Sequence, residues 1–146
     1  MRRGALIVSF VAGLTGHAAA FDFPPGTPLD VPKLEPAMQA DIYGVWEIRD
    51  KSGKKRCRIT LLKEFTIGGY EAQPAPGCEK AFPVMADISA WRLLEGWTID
   101  LVDPIRRVRI RFETPDNRYV PFGDPKDIAG IYEITKVPDK AGPKKP

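Results

Sequence analysis

Residues 56–62 read Arg56-Cys57-Arg58-Ile59-Thr60-Leu61-Leu62. Cys57, Ile59 and Leu61 alternate with Arg56, Arg58 and Thr60. A period of two puts the first set on one face of a β-strand and the second on the other, so this is a half-buried strand. The same alternation returns further on. Trp97, Ile99 and Leu101 are spaced by Thr98 and Asp100, and Val108, Ile110 and Phe112 by Arg107, Arg109 and Arg111.

Working outward, Gly44 to Ile48 (GVWEI) is a preceding strand, and Asp50-Lys51-Ser52-Gly53 is the turn between them. Gly admits positive φ there, and Asp and Ser bond back to the backbone. Phe65 to Tyr70 (FTIGGY) reads as a weaker strand interrupted by Gly68-Gly69, and Gln73 to Gly77 as a loop delivering Cys78. Glu79 to Phe82 fits one turn before Pro83, and Val84 to Trp91 is mildly apolar. Glu95-Gly96, Asp103-Pro104 and Thr114 to Asn117 are turns. Tyr119-Val120 and Ile131 to Ile134 close the series. The result is seven or eight short strands with no helical periodicity over ten residues or more. It predicts an all-β domain over residues 41–136, an antiparallel sheet closed into a small barrel or packed as a sandwich.

The two ends read differently. Arg2-Arg3, the apolar run Ala5 to Leu14 and Ala18-Ala19-Ala20 predict a signal peptide over residues 1–20, with the mature chain starting at Phe21. The apolar run falls short of the roughly 20 residues of a membrane span. No cysteine near the cleavage site would carry a lipoprotein anchor. The expected location is therefore the periplasm or the exterior. Phe21 to Pro36 holds Pro24, Pro25, Pro28, Pro32 and Pro36, and is expected to be extended, polyproline-like and mostly solvated. Leu34 to Ile42 fits a short helical turn into the domain. Residues 137–146 read as a disordered, basic tail.

Removing the leader limits the chemistry. His17 is the only histidine, so the mature chain lacks the usual general base and the commonest metal ligand. No cofactor or metal is expected. Twenty basic residues then face nineteen acidic ones, which is no footprint for nucleic acid. Glu71, Asp87, Asp100 and Asp103 show no spacing that singles out an acid and a base. Gly68-Gly69 lacks the Lys-Ser/Thr of a phosphate loop. The chain reads as a binding or inhibitory protein, not an enzyme, and as a monomer.

Three features carry what remains. Two cysteines in an exported chain form one disulfide most economically, so Cys57 and Cys78 are expected to be bridged. Trp46, Trp91 and Trp97 read as core and cap packing in preference to the lining of a ligand cavity, with Arg92 stacking or pairing at the barrel end. The stripe Arg107, Arg109, Arg111, with Arg56 and Arg58, reads as a solvated strand face balanced by acids such as Glu47 or Glu133. The alternative is a basic face for an anionic surface.

One ordered set of residues resembles a known family. Gly44-x-Trp46, Gly53 and Cys57-x-Ile59-x-Leu61 are followed by Cys78-x-x-Ala81-Phe82-Pro83, Ile88 and Trp91-Arg92. Gly96-x-x-Ile99-x-Leu101-x-Asp103, Phe112 and Tyr119 complete it. The set is similar to that of the bacterial AprI/Inh metalloprotease inhibitors. The resemblance implies an eight-stranded, up-and-down, lipocalin-like barrel in the periplasm, with Cys57 and Cys78 bridged. It implies inhibition of a serralysin-type zinc protease by a mature N-terminal segment that enters the cleft. Here the family's small polar N-terminus is replaced by Phe21-Asp22-Phe23-Pro24-Pro25, on a longer segment. Phe21, Asp22 and Phe23 become the insertion residues, with Asp22 or the Phe21 amine nearest the zinc and Pro24 and Pro25 keeping the segment stiff. The competing expectation is a non-inhibitory barrel that binds a small apolar ligand or an envelope partner.

Overall fold

The computed structural model describes residues 20–139, together with Gly13 and Gly16. The leader, apart from these glycines and Ala20, and the tail beyond residue 139 lie outside the described residues.

Eight strands follow in order: β1 (Gly44–Arg49), β2 (Arg56–Thr66), β3 (Gly69–Pro74), β4 (Ala90–Leu94), β5 (Thr98–Val102), β6 (Val108–Glu113), β7 (Val120–Phe122) and β8 (Glu133–Lys136). They form one antiparallel sheet in the spatial order β7-β6-β5-β4-β3-β2-β1-β8. Each of β1 to β7 pairs with its neighbours in sequence, and β8 returns to pair with β1. The sheet curls until its edges meet at a single bridge between Tyr119 and Ile134. The protein is all-β, with up-and-down strand order, and of the two architectures left open it is the curled single sheet.

The alternation around Cys57 is what curls around the core. Cys57, Ile59 and Leu61 face inward and are at most 4% exposed, opposite Ile48 and Trp46 of β1. Trp91, Leu93, Ile99, Leu101, Ile110, Phe112 and Ile134 complete the interior. Both buried indoles donate to a backbone carbonyl, Trp46 Nε1 to Ile42 O at 2.7 Å and Trp91 Nε1 to Leu62 O at 3.0 Å. Burial therefore leaves no indole N–H unpaired. Trp97 packs against the same core but is only half-buried. It stands before β5 with φ +60°, on the β4–β5 turn, so its place in the alternation does not make it a strand residue.

Short helices stop the two ends. At one end α1 (Pro36–Ile42) and the 3-10 turn Val31–Lys33 bring Ile42 and Val31 into the core. At the other, α2 (Cys78–Ala81) and the 3-10 turn Pro83–Asp87 supply Phe82, Val84 and Met85. Cys78 is bridged to Cys57, which ties this plug to β2. Closing a loop of this size is worth about 3 kcal/mol through the unfolded chain.

The segment read as one weak strand, Phe65 to Tyr70, is the end of β2, a turn and the start of β3. The pairing slips between Leu61↔Ala72 and Phe65↔Tyr70, so β2 carries two extra residues there. A bulge of this kind bends a strand sharply. The tip consequently folds back onto the outer face of β4 and β5. A Cβ at Gly68 would lie 3.0 Å from Val102 Cγ1, and one at Gly69 would lie 2.4 Å from the Trp91 carbonyl oxygen. Gly68-Gly69 is therefore a close-approach element.

Candidate functional site

The segment from Phe21 to Asp30 has no helix or strand beyond an isolated bridge at Pro28, and Pro24, Pro25 and Pro28 are exposed. Most of the segment is solvated, as expected, but it does not stay off the sheet. Thr27 O accepts from Glu95 N and Leu29 N donates to Leu93 O, both at 2.8 Å, and Pro28 bridges to Leu94. Proline keeps its carbonyl, and the residues around Pro28 still carry donors, so the end of β4 beyond its pairing with β3 finds partners. Val31 then enters the core with no exposure.

The first five residues of this segment rest on the outer face of β6 and β7. Phe21, Phe23 and Phe122 form an edge-to-face trio with ring centroids 4.8, 5.4 and 6.0 Å apart. The Arg111 guanidinium lies 5.5 Å from the centre of the Phe23 ring and donates to Pro24 O. Asp22 projects to solvent. The five candidate insertion residues thus sit together, Phe21 and Phe23 against the barrel and Asp22, Pro24 and Pro25 exposed.

The arginine stripe explains why this face accepts them. Arg111 Nε and Nη2 bind Asp100 in a fork at 2.7 and 2.9 Å, with side chains 8% and 2% exposed. Arg109 forks onto Asp127 at 2.9 Å and reaches Asp87 at 3.0 Å. Its hydrogen bonds to Asp127, opposed by burial and helped by Asp87, push its pKa up. Arg107 pairs with Asp103. The stripe is balanced by acids, as expected, but only part of it is solvated: Arg107, like Arg56 and Arg58, stays exposed, whereas Arg109 and Arg111 are largely covered. Its acids are Asp87, Asp100, Asp103 and Asp127, whereas Glu47 pairs with Arg56 and Arg58, and Glu133 with Arg49 and Arg118. Asp100 takes two of the Arg111 donors and Pro24 O a third, so the segment covers this guanidinium without leaving it unpaired. Among the described residues Arg92 has no ion-pair or ring partner. Its Nε donates to Gly68 O and pins the folded-back hairpin tip.

Asp103 organises the β5–β6 turn. Its Oδ1 accepts from Ile105 N at 3.0 Å and Arg107 N at 2.9 Å, and its Oδ2 from Arg107 Nε at 2.9 Å. Arg106 is held there at φ +70°. Burial raises the Asp103 pKa, but the backbone and side-chain bonds from Arg107, its charge and the Ile105 bond outweigh that and hold it below the ordinary 3.8. A depressed folded-state pKa means stability that is present above the unfolded value and lost as pH falls through the folded one. Acid unfolding followed by tryptophan fluorescence is expected to show this. The Asp103→Asn variant should lose about 1–3 kcal/mol at neutral pH. It should also depend less on pH between about pH 2 and 5. Parallel acid-unfolding curves for the two proteins would contradict the assignment.

Among the described residues, no group of three or more His, Cys, Asp or Glu side chains is placed to hold a metal ion. No helix there is long and apolar enough to cross a membrane. The family model described as protease inhibitor Inh matches residues 36–121, from α1 through the first residues of β7. The chain belongs to the Inh family of protease inhibitors. No curated protein and no solved structure matches it. The expected family is thus shown, with a protease as its class of partner. The match covers α1, β1 to β6 and the start of β7, and leaves Phe21 to Glu35 and β8 outside it.

Sequence reasoning missed three parts of this site: Phe122, the Asp100–Arg111 fork and the folded hairpin tip. Asp100 was legible as the outward neighbour of Ile99 and Leu101. Its partner was not, because the pairing of β5 with β6 slips between Leu101 and Val102.

Proposed function

We propose that this Inh-family protein is exported and inhibits a serralysin-type zinc metalloprotease, with Phe21 to Pro25 as the segment that enters the cleft. The observation that carries the reading is the position of that segment. It lies ahead of the family-matched region and exposes Asp22, Pro24 and Pro25. A proline-stiffened segment has fewer conformations to lose on binding and resists cleavage, since proline fixes φ and lacks the amide N–H. In this reading the Asp22 carboxylate or the amine of Phe21 faces the zinc, and the barrel limits how deep the segment can go.

Interior packing supports an inhibitor over a carrier of a small apolar ligand. Trp91, Phe112, Leu93, Ile99, Leu101 and Ile110, each with no exposure, occupy the barrel where a ligand would sit. The direct test is titration of the mature chain, starting at Phe21, against a serralysin-type protease with a peptide substrate. Stoichiometric loss of activity is expected. Full activity in the presence of excess folded inhibitor with an intact Phe21 terminus overturns the reading.

Docking on Phe122 has a kinetic consequence. The segment must leave the trio to enter a cleft, so apparent affinity is reduced by the fraction of molecules in which it is free. The Phe122→Ala variant removes the ring on which Phe21 and Phe23 rest. It is expected to inhibit several-fold faster and to have its first residues trimmed sooner by aminopeptidase. Slower inhibition by this variant would mean that the docked form is the one the protease receives.

A further inference from the structure

We infer that the β2–β3 hairpin tip and the β5–β6 turn form an interfacial anchor, which dips its apolar side chains into the surface of a bilayer carrying anionic phospholipid. The inference goes beyond the inhibitor reading and does not depend on which protease is inhibited.

Three of the four exposed large hydrophobic residues among those described stand on these two turns: Phe65 at 75%, Ile67 at 59% and Ile105 at 67% exposure. The turns touch, since a Cβ at Gly68 would lie 3.7 Å from Asp103 O. Exposed apolar side chains gathered in one place mark contacts with proteins or membranes, whereas the same residues scattered singly are ordinary.

Backbone chemistry favours the membrane. No water serves the N–H groups of a turn that enters a bilayer, so each must be bonded within the protein. The β5–β6 turn meets that requirement. Asp103 N donates to Arg107 O at 2.9 Å, and Arg106 N to Asp103 O at 3.0 Å. Ile105 N and Arg107 N both donate to Asp103 Oδ1, at 3.0 and 2.9 Å, and Pro104 has no N–H. Every backbone donor from Asp103 to Arg107 is thereby used. The hairpin tip is also economical: Thr66 pairs with Gly69 across the turn, and Gly68 O accepts from Arg92 Nε. Protein interfaces carry about one hydrogen bond per 100–200 Å², and these turns keep few backbone groups for them.

Charge points the same way. Arg92 and Arg106 line a shallow groove with Phe65 and Ile67, and neither has a carboxylate partner among the described residues. Asp103, the acid of the turn, is held by Arg107, and Glu64 lines a different recess beside α1. Apolar tips beside free guanidinium groups match an anionic bilayer surface, with the tips below the headgroups and the cations at the phosphates. The anchor is also ordered in advance. Phe65 stacks on Tyr70 with centroids 4.8 Å apart, and Tyr70 lies 5.1 Å from Trp91 in the core. A side chain already held loses less entropy on binding than a mobile one.

The test sediments the mature chain, starting at Phe21, with vesicles of phosphatidylglycerol and phosphatidylcholine in equal parts, and with vesicles of phosphatidylcholine alone. Wild type is expected to partition to the anionic vesicles on the order of tenfold more strongly. The Phe65→Ser/Ile105→Ser double variant is expected to lose about tenfold or more of that binding. Arg106→Glu should lose several-fold. Lys51→Glu/Lys54→Glu, in the basic and exposed β1–β2 turn, should keep most of it. All the substituted side chains are exposed, so thermal melting should stay close to wild type. A double variant that binds like wild type overturns the inference, and so does a loss confined to Lys51→Glu/Lys54→Glu. A wild-type chain that stays in solution with both vesicles overturns it as well. If the double variant then shows a raised Ki, the patch belongs to a protein contact instead. Vesicle binding is read without a protease, so its failure leaves the inhibitor reading standing.

Discussion

Removing Phe21 to Pro25 is expected to abolish inhibition while leaving the barrel folded. If the segment supplies the contacts inside the cleft, Ki should rise on the order of a thousandfold, as expected for loss of several central anchors. The fold should survive because no core residue lies before Val31. What the deletion exposes is Phe122 and the outer edge of Arg111, which should cost little beyond the aromatic contacts, about 1–3 kcal/mol. Two measurements separate the outcomes: the thermal midpoint of the truncated chain, and its Ki beside that of the full mature chain. Equal Ki values would remove the segment from the mechanism. The barrel surfaces would then have to carry inhibition alone. An Asp22→Asn variant refines the result. If the carboxylate faces the zinc, the variant should lose inhibition although Asp22 is exposed and touches nothing that holds the fold.

The Arg111→Ala variant is expected to lose about 3–5 kcal/mol, because it leaves the Asp100 carboxylate buried without its partner. Asp100 is 1% exposed and Arg111 is 6% exposed, so little water is available to replace the lost fork. The hydrogen bond to Asp100 raises the Arg111 pKa against the opposing effect of burial, in keeping with a guanidinium that stays charged under cover. The same variant removes the donor to Pro24 O and the cation above Phe23, so the segment should loosen as the barrel weakens. Denaturant unfolding measures the first effect, and hydrogen exchange at the Leu29 amide, which donates to Leu93 O, the second. A double variant, Arg111→Met with Asp100→Leu, should recover most of the stability, since an apolar pair of similar volume often replaces a buried ion pair at no loss. Recovery of stability without recovery of segment protection would show that the fork orders the segment as well as the sheet.

Much of the barrel was legible because strand periodicity is local. The inward set Cys57, Ile59, Leu61 and the inward set Ile99, Leu101 are each defined within a handful of residues. Each is buried as that spacing requires. The single cysteine pair and the ordered Gly, Trp and Cys positions were equally readable, and they led to the Inh family. Trp97 shows the limit. Its spacing from Ile99 matches a strand, but the backbone at the β4–β5 turn has already left the sheet.

What the chain alone determined is most of the inward-facing set, that the sheet is antiparallel, and which family it joins, the up-and-down order being implied by that family. Each follows from short-range alternation, turn chemistry and residue order. Only the tertiary structure decided which acids neutralise the arginines, that the hairpin tip folds outward, and that Phe21 and Phe23 lie on Phe122. Those contacts join residues as far apart as Pro24 and Arg111. They depend on two register slips and on the curl of the sheet. A slip of one residue redirects every outward side chain after it, so partners across a curved face emerge only once all the strands are in place.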